Sequence, residues 1–461
     1  MSIPKELEQA YEQGYRQFSW IKELNESEDS LRTYFMKGQK AFKGERFYWQ
    51  TPEKDIMLVG FGKEEELTYD HASFEQVETF ILGEKAKIYQ NRFISGAGAI
   101  LFGAFPFDDK LVEQNEWGPM EQGLFYLPTF LLTQVEEHRY ITINFSAATE
   151  EVLQKKWLYL TTQFTEIMNT QVKENEETTG QITAEEVAVS QWMSVVDETV
   201  KKLKEAGPLE KVVLARQMKV KSNSPFEADA ILKNLQQQQT NTYFFLLESD
   251  EHVFIGATPE RLLKASTTTF STASIAGSVS RGTTETEDLE LGNYLLNDMK
   301  NRQEHKIVVD RIIKELESMT GAVIQAQPPQ LLKNRDIQHL HLPIEGQRKN
   351  DYRFLKGIQQ LHPTPALGGE PKELALKWLK EHEPLDRGLY GAPIGWVAIK
   401  EDVGEFAVGI RSAVFSGDSG YLYAGCGIVK DSIAEQERIE TQIKFQPMLR
   451  GIGGDDRDKS K

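Results

Sequence analysis

The stretch Tyr423–Lys444, YAGCGIVKDSIAEQERIETQIK, places a strand-like run of small residues before a helix bearing Glu437, Glu440 and Lys444. At separations of three and four, these side chains share one helical face, so two carboxylates point at one spot with an ammonium beside them. That arrangement suits a hard cation. On this segment alone, a solvated helix with a Glu440–Lys444 surface ion pair is the competing reading.

Outward from this segment, composition narrows the alternatives. The chain has 461 residues, with 70 acidic against 53 basic side chains and a net charge of −17. Nucleic acid and anionic membrane are therefore poor partners, although a local group of Lys and Arg can still hold a small anion. The single cysteine, Cys426, excludes an internal disulfide and sits between two glycines as a small buried residue. The first residues, MSIPKELEQAYEQGYRQFSW, lack the apolar core of a secretion signal, and no apolar run approaches the ~20 residues that span a bilayer. A soluble, cytoplasmic protein is expected.

Short alternating runs such as DIMLVGF (55–61), AILFGAF (99–105) and RYITINF (139–145) mark the first ~165 residues as mostly sheet. Gly96-Ala97-Gly98 lacks the further residues of a nucleotide loop and reads as a close backbone approach. The polar stretch 171–186, QVKENEETTGQITAEE, reads as a linker or long loop. Beyond it, a helix is expected over 187–205, strands over 211–220, 242–247 and 252–255, and one long helix from about Asp288 to Met319.

Several side chains stand out chemically. Glu304 and His305 fall toward the apolar side of that long helix, where a carboxylate needs a cation or a metal. With Glu437 and Glu440, Glu304 would form an oxygen-rich site suited to Mg²⁺. Lys211 opens KVVLAR among apolar neighbours, and desolvation favours the neutral amine that a general base requires. Glu260 follows a strand and a Thr-Pro turn, a rigid support for a projecting carboxyl. Gly277 and Ser278 offer an amide and a hydroxyl to an anion, and Arg411 is an arginine within an otherwise apolar strand, EFAVGIRSAVF. The Pro- and Gly-rich LHPTPALGG (361–369) is a stiff loop that fixes the directions of His362 and Ala366.

These segments carry a resemblance. From about Val187 to Gly451 the chain resembles the chorismate-utilising enzymes, a group that includes isochorismate, salicylate, anthranilate and aminodeoxychorismate synthases. The matching blocks, in the family's order, are KVVLAR, FIGATPERLL, IAGSVSRG, KNRQEH, LHPTPALGG, RGLYGAPIGW, FAVGIRSA and YAGCGIV with its Glu-x-x-Glu helix. The resemblance implies a large α+β fold, antiparallel sheets packed with helices around a deep central cleft. It divides the chain into a variable amino-terminal part (1–185), a chorismate-binding catalytic region (186–451) and a polar tail (452–461).

Within the family, Lys211 stands where ammonia-using members have glutamine, Ala276 where aminodeoxychorismate synthases have a nucleophilic lysine, and Ala366 where aminating and salicylate-forming members have threonine. These positions imply water as nucleophile and isochorismate as product, and the LHPTPALGG and DRGLYGAPIGW wording leans toward the menaquinone pathway. The resemblance further implies Lys211 as base, Glu260 as acid, and Mg²⁺ on Glu304, Glu437 and Glu440. It also implies a chorismate site formed by Gly277, Ser278, His339, Ala366, Tyr390, Arg411, Gly427 and Lys444. Ser278 and Val279 depart from the commoner IAGTRPRG. No glutaminase subunit is expected, and the alternatives are a salicylate synthase, a siderophore-pathway isochorismate synthase and a non-catalytic chorismate-binding regulator.

Overall fold

Alternation along Arg46–Gln50 (RFYWQ) sends Phe47 and Trp49 to one side of a strand and Tyr48 to the other, and all three are fully buried. A strand buried on both faces must lie between two layers. The computed structural model, which describes residues 2–25, 29–68, 72–108, 116–172, 181–325 and 328–453, shows what those layers are.

Among the described residues one sheet has thirteen strands and a second has ten. In the first the spatial order is Ile182–Glu186, Lys211–Ser222, Ser419–Ile428, Ser412–Ser416, His252–Thr258, Tyr243–Ser249, Arg46–Gln50, Ile56–Phe61, Phe130–Val135, His138–Ser146, Gln17–Glu23 and Ile88–Gln90, with Gly369–Glu370 added beside Lys211. Its pairings are antiparallel except for Gln17–Ser19 with Ile88–Gln90. In the second, Ile337–Arg348, Thr269–Ser280, Arg261–Ala265, Gly404–Val408, Pro393–Ala398 and Ile100–Ala104 form the antiparallel centre.

The inner faces meet through Phe47, Trp49, Phe102, Tyr126, Phe245, Trp396 and Tyr423, with the Phe47 and Phe102 rings stacked at 4.2 Å. The outer face of the first sheet is covered by helices that include Glu150–Asn169, Ala228–Gln238 and Ala434–Gly451; that of the second by Phe74–Glu84, Met299–Met319 and Phe354–Leu361. The order is helix, sheet, sheet, helix, the antiparallel α+β arrangement that the resemblance implied. The 185/186 boundary separates no cores: Arg46–Gln50 pairs with Tyr243–Ser249, and Ile100–Ala104 with Pro393–Ala398.

Four sequence expectations are corrected. Residues 182–186 are not linker but an edge strand paired with Met218–Ser222, tied down because the Glu186 carboxylate meets Arg216 and Arg438; residues 173–180 of that stretch, and 454–461 of the polar tail, lie outside the described residues. The single helix from Asp288 is two, Glu285–Asn297 and Met299–Met319. Asp298 breaks it: with an extended backbone it ends the first helix, and its carboxylate accepts from the Asn301 amide at 2.8 Å to cap the second. The amino-terminal part contains the helix Glu150–Asn169, whose Leu153, Trp157 and Leu160 are buried at helical spacing. Finally, FAVGIRSAVF is not one strand.

Candidate active site

That last correction builds the site. Gly404–Val408 belongs to the ten-stranded sheet and Ser412–Ser416 to the thirteen-stranded one, so residues 409–411 cross between layers. Arg411 turns the corner with a left-handed φ of 50°. Beside it, His252–Thr258 and Arg261–Ala265 make the same crossing in the opposite direction, with Pro259 and Glu260 at the bend. The two crossings are bonded together, Val408 N to Glu260 O at 3.0 Å and Ala257 N to Arg411 O at 3.1 Å. Where two strands leave one sheet for another, backbone no longer fills the space between them, and Glu260 and Arg411 occupy that gap.

Glu260 is 6% exposed. Burial pushes its carboxyl up to about 7, against the opposing pull of Thr364, Lys211 and Arg411. The Thr364 hydroxyl is 3.5 Å from Oε1. A carboxyl that keeps its proton near neutrality can act as an acid. Burial lowers Arg411, partly offset by Tyr390, Glu440, Asp336 and Glu260, and among the described residues its guanidinium makes no ion pair or hydrogen bond. A desolvated guanidinium in that state is a receptor for a carboxylate.

Lys211 begins the strand that pairs with Ser419–Ile428 and, on its other edge, with Gly369–Glu370. It is buried and lies across Gly427: a Cβ there would stand 2.5 Å from its Cε and 3.0 Å from its Nζ. Its charge acts on both Glu260 and Glu440, so the proposed base, acid and metal carboxylate share one electrostatic neighbourhood.

On the helix Ala434–Gly451, Lys444 Nζ is 2.6 Å from Glu440 Oε1 and donates to Gly425 O at 2.8 Å. Lys444 holds Glu440 below the usual carboxylate range. Glu437 behaves oppositely, raised by burial and then by Glu440, with Ser432, Cys426 and Lys444 pulling the other way. Two carboxylates close enough to repel, both of them partly desolvated, form the kind of oxygen donor set that a hard cation would relieve. Glu304 lies in the first two turns of Met299–Met319, but its side chain is outside the described residues. Among the described residues no group of three His, Cys, Asp or Glu gathers as a metal site.

The remaining predicted positions surround these. Gly277, at φ 74°, lies at a register shift in the pairing with Ile337–Arg348, where a Cβ would stand 3.2 Å from Asn301 Oδ1. Ser278 Oγ is 2.8 Å from His339 Nδ1. Burial, reinforced by Arg411 and Lys444, lowers His339 to about 3, so the ring is neutral, and among the described residues its buried Nε2 makes no hydrogen bond. The Tyr390 hydroxyl approaches Gly425, and its ring stacks on Tyr423 at 5.2 Å. Ala366 is half-buried in the turn between Thr364 and Gly368, whose carbonyl accepts from Val213 N at 3.1 Å.

Sequence reasoning missed Thr364, Cys426 as a neighbour of Glu437, and the buried pair Glu383 and Arg387. The last had a signal, opposite charges four apart beside the RGLYGAP block. A surface cleft of about 810 Å³ lined by residues including Arg16 and Lys87 contains none of the predicted site residues.

A family model described as chorismate binding enzyme matches residues 5–453. The chain is 37% identical over 440 residues to the isochorismate synthase MenF of Bacillus subtilis, covering 94% of this chain and 93% of that protein. It is also 37% identical over 267 residues to the salicylate biosynthesis isochorismate synthase of Pseudomonas aeruginosa, covering 57% and 56%. The solved structure of MenF, the menaquinone-specific isochorismate synthase of Escherichia coli, superposes with a TM-score of 0.79 at 26% identity, covering 97% of this chain and 98% of that one. With residues 5–453 matched by the family model and the fold matched by a solved structure, the chain belongs to the chorismate binding enzyme family.

Proposed function

We propose that this chain converts chorismate to isochorismate, as an isochorismate synthase of the menaquinone type. The observation that carries the reading is Glu260, a carboxyl held protonated up to about pH 7 and under the charges of both Lys211 and Arg411. Lys211 takes a proton from the water that attacks C2 of the ring. Glu260 delivers its proton to the C4 hydroxyl, which departs as water while the ring double bonds shift, so one water enters and one leaves. Arg411 and Tyr390 hold the pyruvyl carboxylate; Gly277, Ser278 and Lys444 stand near the ring carboxylate; His339, neutral, contributes a hydrogen bond. Gly427 leaves room for Lys211, and Ala366 leaves space beside the ring where a threonine would add a hydroxyl.

Glu437 and Glu440, with Glu304, would hold Mg²⁺, which would neutralise the ring carboxylate and anchor the substrate. The carboxylate repulsion at Glu437 supports that assignment. The test is to incubate the protein with chorismate, with Mg²⁺ and then with EDTA, and separate the products. Isochorismate formed only with Mg²⁺ is expected. Salicylate with pyruvate would move the reading to a salicylate synthase, and no conversion would leave a chorismate-binding protein.

A further inference from the structure

The outer edge of the Lys211 strand has a gap. Lys211 and Val212 pair there with Glu370 and Gly369, and Met218–Ser222 pair with Ile182–Glu186, but no described strand covers residues 213–217. Several backbone groups of that interval are bonded nonetheless. Val213 O accepts from Arg387 Nη2 at 2.6 Å, and Ala215 N donates to Glu383 Oε2 at 2.8 Å. Two side chains stand in for a missing strand.

The same pair reaches further. Arg387 donates to both Glu383 oxygens, at 2.5 and 2.7 Å, and its Nη1 donates to Leu367 O at 2.9 Å, one residue after Ala366. Arg387 O accepts from Tyr390 N at 2.7 Å, and its guanidinium lies 4.2 Å from the centre of the Phe107 ring, whose carbonyl meets His362 Nε2 at 2.9 Å. Both residues are buried, 8% and 4% exposed. One ion pair is thus bonded to the strand of the base and the loop of Ala366, while the main chain of Arg387 begins the turn of Tyr390. A buried pair is weak evidence for added stability, since apolar residues of similar volume often serve as well. Its geometric value is different: a guanidinium with a fixed fork sets two backbone segments, at Val213 and Leu367, at fixed distances.

We propose that Arg387 and Glu383 are positioning residues that hold the Lys211 strand and the Ala366 loop in register for hydroxyl transfer, an inference that rests on the isochorismate-forming reading. The test compares steady-state kinetics and thermal unfolding of the wild type, Arg387→Lys, and the double variant Glu383→Leu with Arg387→Met. The double variant removes both charges and leaves no buried ion unpaired. It should unfold within a few degrees of the wild type and keep KM for chorismate within about threefold, while kcat falls at least about tenfold. Arg387→Lys, with a point charge in place of the fork, should fall between. A folded double variant with kcat within about twofold of wild type, a change confined to KM, or a protein that fails to fold would each overturn the proposal, the last by making the pair a requirement of the fold. Wild type that forms no isochorismate would instead remove the reading on which the proposal stands.

Discussion

Glu260, the proposed acid, would link stability and chemistry in one side chain. Folding raises its carboxyl from 4.5 to about 7, so the folded state binds that proton more tightly than the unfolded chain. The linked stability is complete below about pH 4.5 and is lost as pH rises through 7, a loss of roughly 3 kcal/mol at ~1.4 kcal/mol per tenfold change in proton affinity. Glu260→Gln should therefore lower kcat by about 10² or more, yet be more stable than the wild type at pH 8.5 and little different at pH 5. Unfolding midpoints at the two pH values check this; equal differences at both would contradict it. Gly427→Ala probes the partner side. The new Cβ would drive Lys211 Nζ from its place without touching backbone, so the protein should fold while kcat falls by about a hundredfold, read from kinetics alongside thermal unfolding. Lys211, Glu260, Glu437 and Glu440 stood out in the sequence through the family's motif blocks, since taken alone Glu440 and Lys444 read equally as a surface ion pair. The positions of Glu260 and Arg411 at sheet crossings were not, since FAVGIRSAVF has the composition of one uninterrupted strand and nothing local announces the left-handed turn at Arg411.

At the scale of elements, the helix Ala434–Gly451 divides its labour between two faces. Glu437, Glu440 and Lys444 face the site. Arg438, Thr441 and Gln442 anchor it elsewhere: Arg438 Nη2 and Gln442 Nε2 reach Glu186 Oε1 at 2.9 and 3.1 Å, and Arg216 Nη1 donates to Thr441 Oγ1 at 2.7 Å. Arg438 and then Arg216 hold Glu186 down at about 2, overcoming its partial burial, so its contribution is complete above about pH 4.5 and disappears only as pH falls through 2. Glu186→Ala strips the buried Arg216 of its carboxylate, a change that costs about 3 kcal/mol or more in comparable sites. It should also raise the Mg²⁺ concentration needed for half-maximal activity several-fold; denaturant unfolding and a Mg²⁺ titration measure the two, and an unchanged titration would detach the anchor from the site. The strand that carries Glu186 was hidden because TAEE offers no apolar alternation. Its stability comes from an edge pairing and two distant arginines, which no window of sequence contains. The break at Asp298 was hidden for the opposite reason, since apolar spacing continues on both sides of it.

Across the whole molecule, the amino-terminal third is part of the fold rather than an appendage. Phe47, Trp49 and Leu58 pack between the sheets with Tyr243, Phe245 and Trp396, and Arg46 is bound by Glu248 at 2.7 and 2.9 Å. Removing residues 2–172 would leave the inner faces of Tyr243–Ser249 and Pro393–Ala398 without part of their packing and strip each strand of one of its two ladder partners. Each exposed large side chain costs about 1.5–3 kcal/mol, and a dozen of them exceed the 5–15 kcal/mol by which a typical domain is stable. The fragment 181–453 should therefore fail to fold alone, although the motifs of the proposed chemistry all lie within it. The intact chain should unfold in one cooperative transition by both far-ultraviolet circular dichroism and tryptophan fluorescence, because Trp49 and Trp396 report from opposite sides of the 185/186 boundary while sharing one core. A soluble, cooperatively melting fragment 181–453, or two separated transitions in the intact chain, would mean that the shared sheets do not couple the two parts.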